Sequence, residues 1–395
     1  MRVIFHVDVN NAYLSWTAVY LLKNGYKKDI RLIPSVIGGD EESRHGIVLA
    51  KSPVAKKMGV KSAETIYLAR KKCKDLEVYP PNFDVYQEYS NKFYNYLKQY
   101  SPLIERASID ECFLDMSNMN YLYDDLEKVA HKIKDDIKNM FGFTVNVGIG
   151  SNKLLAKMAS DFEKPDKVHT LYTDEIESKM WPLPVEDLLF VGKSSSKLLH
   201  SIGIDTIGDL ANCDPNLISK YYKTRVDDLI NSAKGIDNSE VINDYGDNKS
   251  ISISRTLLKD TNNISELKKK FLKLSQEIGL RARNNHLYAN TIAITLKTSS
   301  FKNISHQEGL SSSTNNTMEI YEKVCELLRS IDKSETFRLI GIRLDNLTKN
   351  KVSKVSFFEE ETSDNIQEIM DNINTKYKNS MIMPAIFYKD DKNSL

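Results

Sequence analysis

Two adjacent acidic residues interrupt an apolar run in the stretch ASIDECFLDM, residues 107–116. Alternation within this run predicts a strand, a two-residue turn and a second strand, with Asp110 and Glu111 at the turn. Neighbouring carboxylates repel each other and lose hydration when they are partly buried. The chain therefore needs a hairpin here, with the acids either exposed to water or placed beside a positive charge.

Strands and helices alternate on both sides of that hairpin over the first 166 residues. Period-2 and helical spacing of the apolar residues indicate the type of each element. The predicted elements are a strand at 3–9, helices at 11–25 and 82–101, the hairpin at 107–116, a helix at 121–141, a strand at 143–150 and a helix at 151–162. This order is typical of a ferredoxin-like sheet that carries helices on one face. Residues 30–75 form an insert, with a loop predicted at Ser52-Pro53.

The remaining chain contains a helical region and a second α/β module. Mostly short helices are predicted over 167–235, a polar linker over 237–250, and the order strand, helix, strand, strand, helix, strand over 251–345. The stretch LLFVGKSSSKLLHSIGIDTIGDLAN resembles a helix-hairpin-helix, which holds a DNA phosphate through backbone amides. The usual Gly-x-Gly is missing, because Phe190 stands before Val191-Gly192, so an ordinary helical subdomain remains the alternative.

Composition excludes some classes of protein without selecting one. The 395 residues include 55 Lys and Arg against 54 Asp and Glu, so a net charge of +1 gives no general argument for a nucleic-acid partner. No apolar stretch is long enough to cross a membrane, and polar residues interrupt the N-terminal segment MRVIFHVDVN. We therefore expect a cytoplasmic protein. Basic residues are concentrated in the first helix of the second module: Lys268, Lys269, Lys270, Lys273, Arg281 and Arg283.

Three acidic residues fall at the ends of strands that we expect to be neighbours. Asp8 ends the first strand, while Asp110 and Glu111 occupy the hairpin turn. Because the first strand of a ferredoxin-like sheet lies beside the hairpin strands, the three carboxylates should converge. Magnesium suits such a site, since it prefers oxygen ligands and keeps positions open for phosphate oxygens. Two such ions can clamp the attacking and leaving oxygens of a phosphoryl displacement.

Three other residues fit chemistry of that kind. Tyr13 lies on the helix that follows Asp8, where an aromatic ring could pack against a sugar. Lys157 and Lys164 follow the GIGSNK turn, and a lysine offers a point charge suited to a triphosphate. Each signal alone also has an ordinary explanation, because strand-end aspartates are more often structural and lone lysines are usually solvated.

These residues carry a resemblance to a known family. The segments HVDVNNAYLSW, SIDECFLDM and VGIGSNKLLAKMASDFEKP are similar to the three signature blocks of the Y-family translesion DNA polymerases. The nearest branch is that of bacterial polymerase IV and the UmuC-type enzymes. KSISISRTLL and FRLIGIRLDNL in the second module resemble the same family, and the order and spacing agree over nearly the whole chain.

The resemblance implies roles for the residues at the end of the sheet. Asp8, Asp110 and Glu111 would be the catalytic ligands of two Mg²⁺ ions, with Mn²⁺ able to substitute, and the backbone carbonyl of Val9 would assist them. Tyr13 would be a steric gate that stacks under the deoxyribose and excludes a 2′-hydroxyl. The remaining substrate contacts would come from Ser52, Lys56, Ser108, Lys157 and Lys164, with Lys164 on the incoming triphosphate.

The resemblance also implies an α+β, multidomain, right-hand polymerase. Its ferredoxin-like palm would span 1–24 and 76–166, with small fingers at 25–75, a helical thumb at 167–236, a βαββαβ little finger at 243–347 and a tail at 348–395. The little finger would grip duplex DNA.

The fingers depart from the family pattern. Members commonly carry Ser-Tyr-Glu-Ala-Arg, whose tyrosine and arginine contact the triphosphate, whereas this chain has SPVAK at 52–56. Lys56 supplies a charge but not the bidentate fork of arginine, and Pro53 donates no hydrogen bond. This departure bears on nucleotide affinity and lesion preference rather than on the reaction.

The tail contains a second departure. Bacterial members bind the sliding clamp through a motif that resembles Gln-Leu-Ser-Leu-Phe, and the segment KVSFF here lacks the glutamine. The resemblance implies clamp contacts from Val355, Phe357 and Phe358. The alternative is a hydrophobic pair that packs on the little finger.

The predicted activity is DNA-templated DNA synthesis of low fidelity across damaged templates in DNA repair, in which the primer 3′-hydroxyl attacks the α-phosphate of a dNTP. The expected partners are primer–template DNA, dNTP and the sliding clamp, with no membrane, and a monomer is expected. Two alternatives remain. A nucleotide cyclase can use the same kind of sheet and paired carboxylates, and a catalytically silent DNA-binding or clamp-associated protein would need no catalytic site.

Overall fold

The computed structural model describes residues 2–40, 46–243, 246, 248–332, 334–351, 369–373, 376 and 382. The chain divides into two compact units, Met1–Tyr245 and Gly246–Leu395. Each unit combines helices with a sheet, so the predicted α+β class is confirmed. Among the described residues, no helix is both long and apolar enough to span a lipid bilayer.

The first unit contains eighteen labelled elements within its described residues. In chain order they are β1 (Ile4–Val9), α1 (Ala12–Lys23), β2 (Ser35–Gly38), β3 (Val48–Lys51), α2 (Pro53–Lys57), α3 (Ile66–Lys72), β4 (Glu77–Tyr79), α4 (Phe83–Leu97), β5 (Ile104–Arg106), β6 (Glu111–Asp115), α5 (Leu126–Phe141), β7 (Val145–Gly150), α6 (Lys153–Asp161), β8 (Val168–Leu171), α7 (Lys193–Ser201), α8 (Ile207–Asn212), α9 (Pro215–Tyr222) and α10 (Val226–Ala233).

A five-stranded sheet organises this unit, with the strand order β5-β6-β1-β7-β8. β1 lies between β6 and β7 and is antiparallel to both, while β8 adds to β7 in parallel. The first four of these strands have the ferredoxin-like order, which confirms the predicted architecture. Helices α1, α4 and α5 cover one face and bury a continuous core around Trp16, Tyr86 and Phe143.

α6 packs on the opposite face of the sheet, which corrects the prediction that all helices share one face. Val145, Val147 and Ile149 of β7 point into the core beneath α5, so the alternate residues Gly148 and Gly150 face α6. A Cβ on Gly148 would lie 2.0 Å from the carbonyl oxygen of Ala156. Only glycine permits this close approach of the helix to the strand.

The hairpin also differs in detail from its prediction. β5 ends at Arg106 and β6 begins at Glu111, so the turn is four residues long rather than two. Glu111 is therefore the first residue of a strand, and Asp110 is the last residue of the turn. The reason is that Ala107 and Ser108 both donate their backbone N–H groups to the carbonyl oxygen of Glu111, which closes a wider loop.

Residues 25–79 form a small insert with a sheet of its own, in the order β3-β2-β4. The sheet includes β4, which lies beyond residue 75. The predicted loop at Ser52-Pro53 is instead the start of α2. Proline is favourable there because it occupies the first helical turn, where its missing N–H is not needed.

The helices α7 to α10 enclose a separate hydrophobic core with α6. The segment that follows, predicted as a linker, is attached to the central sheet as far as Asn243. Ile242 donates its backbone N–H to Glu105 Oε2 at 2.9 Å, and Asn243 Oδ1 accepts from the N–H of Ile104 at 2.6 Å. The bond from Ile104 satisfies one backbone N–H at the outer edge of β5.

The second unit contains β9 (Ser250–Thr261), α11 (Ile264–Asn284), β10 (Ala289–Thr298), β11 (Asn303–Thr314), α12 (Thr317–Arg329) and β12 (Phe337–Asp345). The predicted βαββαβ order is confirmed. The antiparallel strand order is β11-β10-β12-β9, and α11 and α12 bury one face of the sheet. The first strand is at an edge here but central in the first unit, so one order of elements folds into two topologies.

Candidate active site

Strand register places two acidic residues side by side on the α6 face of the central sheet. In the antiparallel ladder between β1 and β6, Asp8 is directly opposite Glu111. His6 shares this face because side chains alternate along a strand, and Val7 between them is in the core. The structure thus brings together two of the predicted metal ligands at the end of the sheet.

Asp110 lies in the turn beside this pair. The N–H of Val9 donates to the carbonyl oxygen of Asp110 at 3.0 Å, which ties the turn to the end of β1. Ser108 Oγ donates to Asp110 Oδ1 at 2.6 Å and holds the carboxylate in place. Burial, together with the charges of Asp8 and Glu111, raises the pKa of Asp110 against the opposing effect of Ser108. All three predicted acids therefore interact electrostatically.

Two lysines provide the positive charge that these acids need. Lys157 Nζ lies 2.7 Å from Glu111 Oε1 and 3.8 Å from Asp8 Oδ2. Lys164 Nζ contacts Asp8 Oδ2 directly. Burial opposes the charge of both lysines, but the carboxylates, Asp8 first, raise the pKa of each. Lys157 and Lys164 thus lie beside the acids as their counterions, and their predicted contacts with the substrate stay predictions.

Asp161 completes this network, and sequence reasoning missed it. It lies 3.4 Å from Lys157 and 2.7 Å from Lys164, measured between carboxylate oxygen and Nζ. The spacings of four and three residues along one helix and its end were the available signal, since residues so spaced share a helix face. Asp161 therefore helps to hold both lysines over the acids.

His6 is a second residue that the prediction missed. Its side chain is fully buried, and burial lowers its pKa. Nδ1 shares a hydrogen bond of 2.8 Å with Ser160 Oγ, and Nε2 lies 3.9 Å from Glu111 Oε2. His6 and Lys157 together hold the pKa of Glu111 at about 2. At 3.9 Å the histidine contact is electrostatic, because a hydrogen bond requires about 3 Å.

Tyr13 lies in the first turn of α1, which begins three residues after Val9. Its ring stacks on Tyr86 with centroids 4.7 Å apart, and Phe83 meets it edge-on. Thr17 Oγ1 donates to the carbonyl oxygen of Tyr13 at 2.7 Å and lies 2.9 Å from the hydroxyl of Tyr86. Tyr13 is thus a half-buried aromatic side chain whose ring is supported from behind.

The two predicted contacts from the insert separate in the structure. Ser52 is fully buried and caps α2, with Oγ accepting from the N–H groups of Ala55 and Ser35. Both interactions are structural, and the substrate contact predicted for Ser52 stays a prediction. Lys56 is exposed on α2, and its ammonium group makes no hydrogen bond or ion pair to the part of the chain that the structure describes.

Comparison with known proteins decides the family. Residues 7–161 match the impB/mucB/samB family, and residues 248–357 match its C-terminal domain. The chain is 43% identical to DNA polymerase IV of Clostridium acetobutylicum over 394 residues, which cover 99% of each protein. The chain belongs to the Y family of DNA polymerases.

Other Y-family proteins agree with this assignment. DNA polymerase IV of Acetivibrio thermocellus is 35% identical, with 94% of this chain and 92% of that one covered. DNA polymerase IV 1 of Bacillus subtilis is 30% identical, with 99% and 94% covered. A solved Y-family polymerase chimera of Dbh and Dpo4 matches 88% of this chain and 100% of its own, at a TM-score of 0.77 and 24% identity. That likeness confirms the fold.

Y-family membership brings dependence on a divalent metal ion, and the donor chemistry of the site fits such an ion. All three predicted ligands offer carboxylate oxygens, which hard cations prefer. The ammonium of Lys157 already reaches both Asp8 and Glu111, so one positive charge can serve the two carboxylates. Within the described residues, however, no three His, Cys, Asp or Glu side chains are grouped closely enough to enclose a metal ion. The three-ligand set stays a prediction.

The structure supports the predicted DNA and clamp contacts of this Y-family chain less fully than it supports the acidic site. Phe190 stands at the expected hairpin with a positive φ of 73° and a side chain 73% exposed, and Gly192 caps the start of α7. In α11, Arg283 is bound to Asp371 and the carbonyl oxygen of Asn315, so it has a structural role. The predicted clamp contacts Val355, Phe357 and Phe358 lie outside the described residues.

Proposed function

We propose that this Y-family chain extends a primer along a DNA template at the site formed by Asp8, Asp110 and Glu111. The observation that carries the proposal is the register pair of Asp8 and Glu111, with Asp110 beside it in the turn. The relatives that are 30–43% identical over nearly the whole chain are named DNA polymerase IV, which supports low-fidelity synthesis across damaged template positions.

The three carboxylates and the backbone carbonyl of Val9 would hold two divalent ions, Mg²⁺ in the first instance and Mn²⁺ as a substitute. When bound, such ions supply a lowered pKa for the primer 3′-hydroxyl and stabilisation of the charge on the leaving pyrophosphate. Ser108 contributes by fixing Asp110, since its hydroxyl donates to Oδ1. This hydrogen bond holds the Asp110 carboxylate in one orientation before a cation binds.

Lys157 and Lys164 serve two states of the site. Without a cation they neutralise Glu111 and Asp8, as their contacts with these carboxylates indicate. With the acids engaged as metal ligands, both ammonium groups would be available to the triphosphate of the incoming nucleotide, to which lysine presents a point charge. Lys56 adds charge from α2 without the two-point hold of an arginine.

Tyr13 selects the sugar of the incoming nucleotide. Its ring is stacked on Tyr86 and backed through Thr17, so it resists displacement. A deoxyribose packs against such a ring, whereas the 2′-hydroxyl of a ribonucleotide collides with it. Tyr13 therefore acts as the steric gate.

DNA contacts go mainly to phosphates, so binding is salt-sensitive and largely independent of sequence. The exposed basic residues of α11, Lys269, Lys273 and Arg281, are the groups that we expect to contribute in the second unit. The helix-hairpin-helix contact, the clamp contact, the monomeric state, the cytoplasmic location and the palm, fingers, thumb, little-finger and tail boundaries stay predictions.

Primer extension tests the proposal. A labelled primer on an undamaged template is incubated with four dNTPs and Mg²⁺ or Mn²⁺, using wild type and the double variant D110A/E111A. Extension by wild type alone supports the proposed site. Binding of primer–template without extension, even with Mn²⁺ and a sliding clamp, would favour an accessory protein. A cyclic product from one nucleotide without DNA would indicate a cyclase.

A further inference from the structure

His6 is a buried polar side chain directly behind the proposed metal ligands. Its ring packs against Phe113 with centroids 4.6 Å apart and the two planes tilted by 52°, and its Nδ1 shares a hydrogen bond with Ser160 of α6. These two contacts, with full burial, fix where the ring lies and which way it faces. Nε2 is therefore held in one direction, toward the carboxylate of Glu111.

The Nε2 atom has no hydrogen-bond partner in the part of the chain that the structure describes. An unsatisfied buried polar atom typically costs about 1–3 kcal/mol. An apolar side chain of similar size would fill the space beside Phe113 without that cost. A polar atom kept here at a penalty points to a state of the site in which Nε2 does have a partner.

Glu111 is the acidic group nearest to that atom, with Oε2 3.9 Å from Nε2. Its other oxygen is held by Lys157 at 2.7 Å, which draws the carboxylate away from the histidine. A proton on Nε2 suits a carboxylate in front of it. Ser160 Oγ lies 2.8 Å from both Nδ1 and the carbonyl oxygen of Lys157, and in that tautomer its single proton turns from the carbonyl oxygen to Nδ1. The gap is short enough for a rotation of the Glu111 side chain to close it.

We propose that His6 is a positioning residue that orients Glu111 for the divalent cation. When a cation takes the place of Lys157 at Glu111, Oε2 moves onto Nε2, and the hydrogen bond fixes the carboxylate in its ligand orientation. Outer groups of this kind affect metal affinity because they set the direction of the ligand. The inference rests on the proposed function, since it assigns Glu111 to the metal.

Two substitutions separate the two nitrogens of the ring. In H6N the side-chain amide reaches the position of Nδ1 and keeps the Ser160 contact, but nothing faces Glu111. In H6Q the longer side chain places its amide near the position of Nε2. H169N is the matched control, because His169 also has a buried Nε2 with no hydrogen-bond partner among the described residues but lies in β8, outside the acidic site.

The first measurement is Mn²⁺ binding to metal-free protein with a non-hydrolysable dNTP, followed by electron paramagnetic resonance. The second is the Mg²⁺ dependence of single-nucleotide insertion, and thermal unfolding in EDTA monitors folding. We expect H6N to bind Mn²⁺ at least about 10-fold more weakly than wild type, within the range usual for loss of an outer partner. H6Q should stay within about threefold of wild type, and H169N should match it.

Equal Mn²⁺ affinity in wild type and H6N would overturn the proposal. So would an equal loss in H6N and H6Q that follows their loss of thermal stability, because His6 would then matter only for packing. Wild-type extension in the same assay keeps these outcomes apart from failure of the proposed function. If wild type itself never extends a primer, the polymerase site is at fault rather than the histidine.

Discussion

Asp8 and Glu111 are directly opposite each other on neighbouring antiparallel strands, an arrangement that places two like charges at one rung of a sheet. Such pairs are destabilising in a sheet that serves only as structure. Lys157 lies within 4 Å of both carboxylates, and Lys164 contacts Asp8, so the chain carries its own compensation. Repulsion between Asp8 and Glu111 thus lowers the stability of the sheet at the position where the proposed chemistry requires negative charge.

Neutralising Asp110 should therefore stabilise the metal-free protein. Burial and the charges of Asp8 and Glu111 disfavour the ionised side chain, while an asparagine can still accept from Ser108. We expect D110N to raise the free energy of unfolding in EDTA by an amount on the order of 1 kcal/mol and to abolish primer extension. Urea denaturation with and without Mg²⁺ measures this.

Mg²⁺ should make wild type more stable than D110N, the reverse of the order expected in EDTA. Mg²⁺ stabilises wild type more than D110N, because only wild type offers all three carboxylates. D115N is the matched control in the same hairpin, since Asp115 Oδ1 accepts from Ser117 and an asparagine oxygen can replace it. A D110N protein no more stable than wild type in EDTA would contradict the electrostatic account.

Removing the ring of Tyr13 should admit ribonucleotides. In Y13A nothing occupies the space beside the 2′-carbon, and the stack on Tyr86 is lost. We expect discrimination against ribonucleotides to fall by roughly 10- to 100-fold, the range of a contact that depends on shape. Single-nucleotide insertion with dNTP and rNTP gives the ratio of kcat/KM. Y20A on the same helix should keep wild-type discrimination, and equal ratios for Y13A and wild type would exclude the gate.

The buried ion pair between Lys153 and Glu105 should be important for the stability of the first unit. Lys153 Nζ lies 2.7 Å from both oxygens of Glu105, which is 3% exposed. K153M leaves a buried carboxylate without its lysine, and we expect a loss of about 3 kcal/mol. The double variant K153M/E105Q should recover most of it, because the buried charge is then gone. Urea denaturation of both variants measures their free energies of unfolding. An equal loss of stability in the two variants would argue that the buried charge is not the cause.

His200 should make the stability of the helical region depend on pH. Asp205 and then Glu186, with ring nitrogen to oxygen distances of 2.6 Å and 3.0 Å, raise its pKa above the ordinary 6.5. Because the pKa is raised, the stability that protonated His200 contributes is fully present below about pH 6.5. It is lost as the pH rises through the pKa of His200 in the folded protein. NMR titration of the His200 imidazole checks that its pKa is raised. In H200Q, which lacks the titrating group, this pH dependence of stability should be absent. A folded pKa at or below 6.5 would refute the prediction.

Much of the fold could be predicted from local sequence alone. Alternation and helical spacing identified the four strands that the structure describes in the second unit and gave the order of elements around the hairpin, because these periodicities express which side of each element is buried. Asp8, Asp110 and Glu111 could be selected for the same reason, since acids at the ends of apolar strands stand out against the pattern. Tyr13 and the two lysines followed from their positions beside those strands.

Other features depended on contacts between distant parts of the chain. Ser52 is buried because α2 and β2 both use its hydroxyl, which the motif around it does not reveal. The acids are neutralised by Lys157 of α6 and by Lys164, which follows that helix, because Gly148 lets α6 approach this face of the sheet. His6 has a role only because the strand register turns it toward Glu111.

The sequence by itself determined which segments become strands and helices and which residues carry charge at their ends, because neighbouring residues decide burial and capping. Only the tertiary structure decided that Asp8 is opposite Glu111, that α6 covers them, and that one order of elements forms two different sheets. Register and sheet order are set by packing between segments far apart in the chain, and no local pattern contains that information.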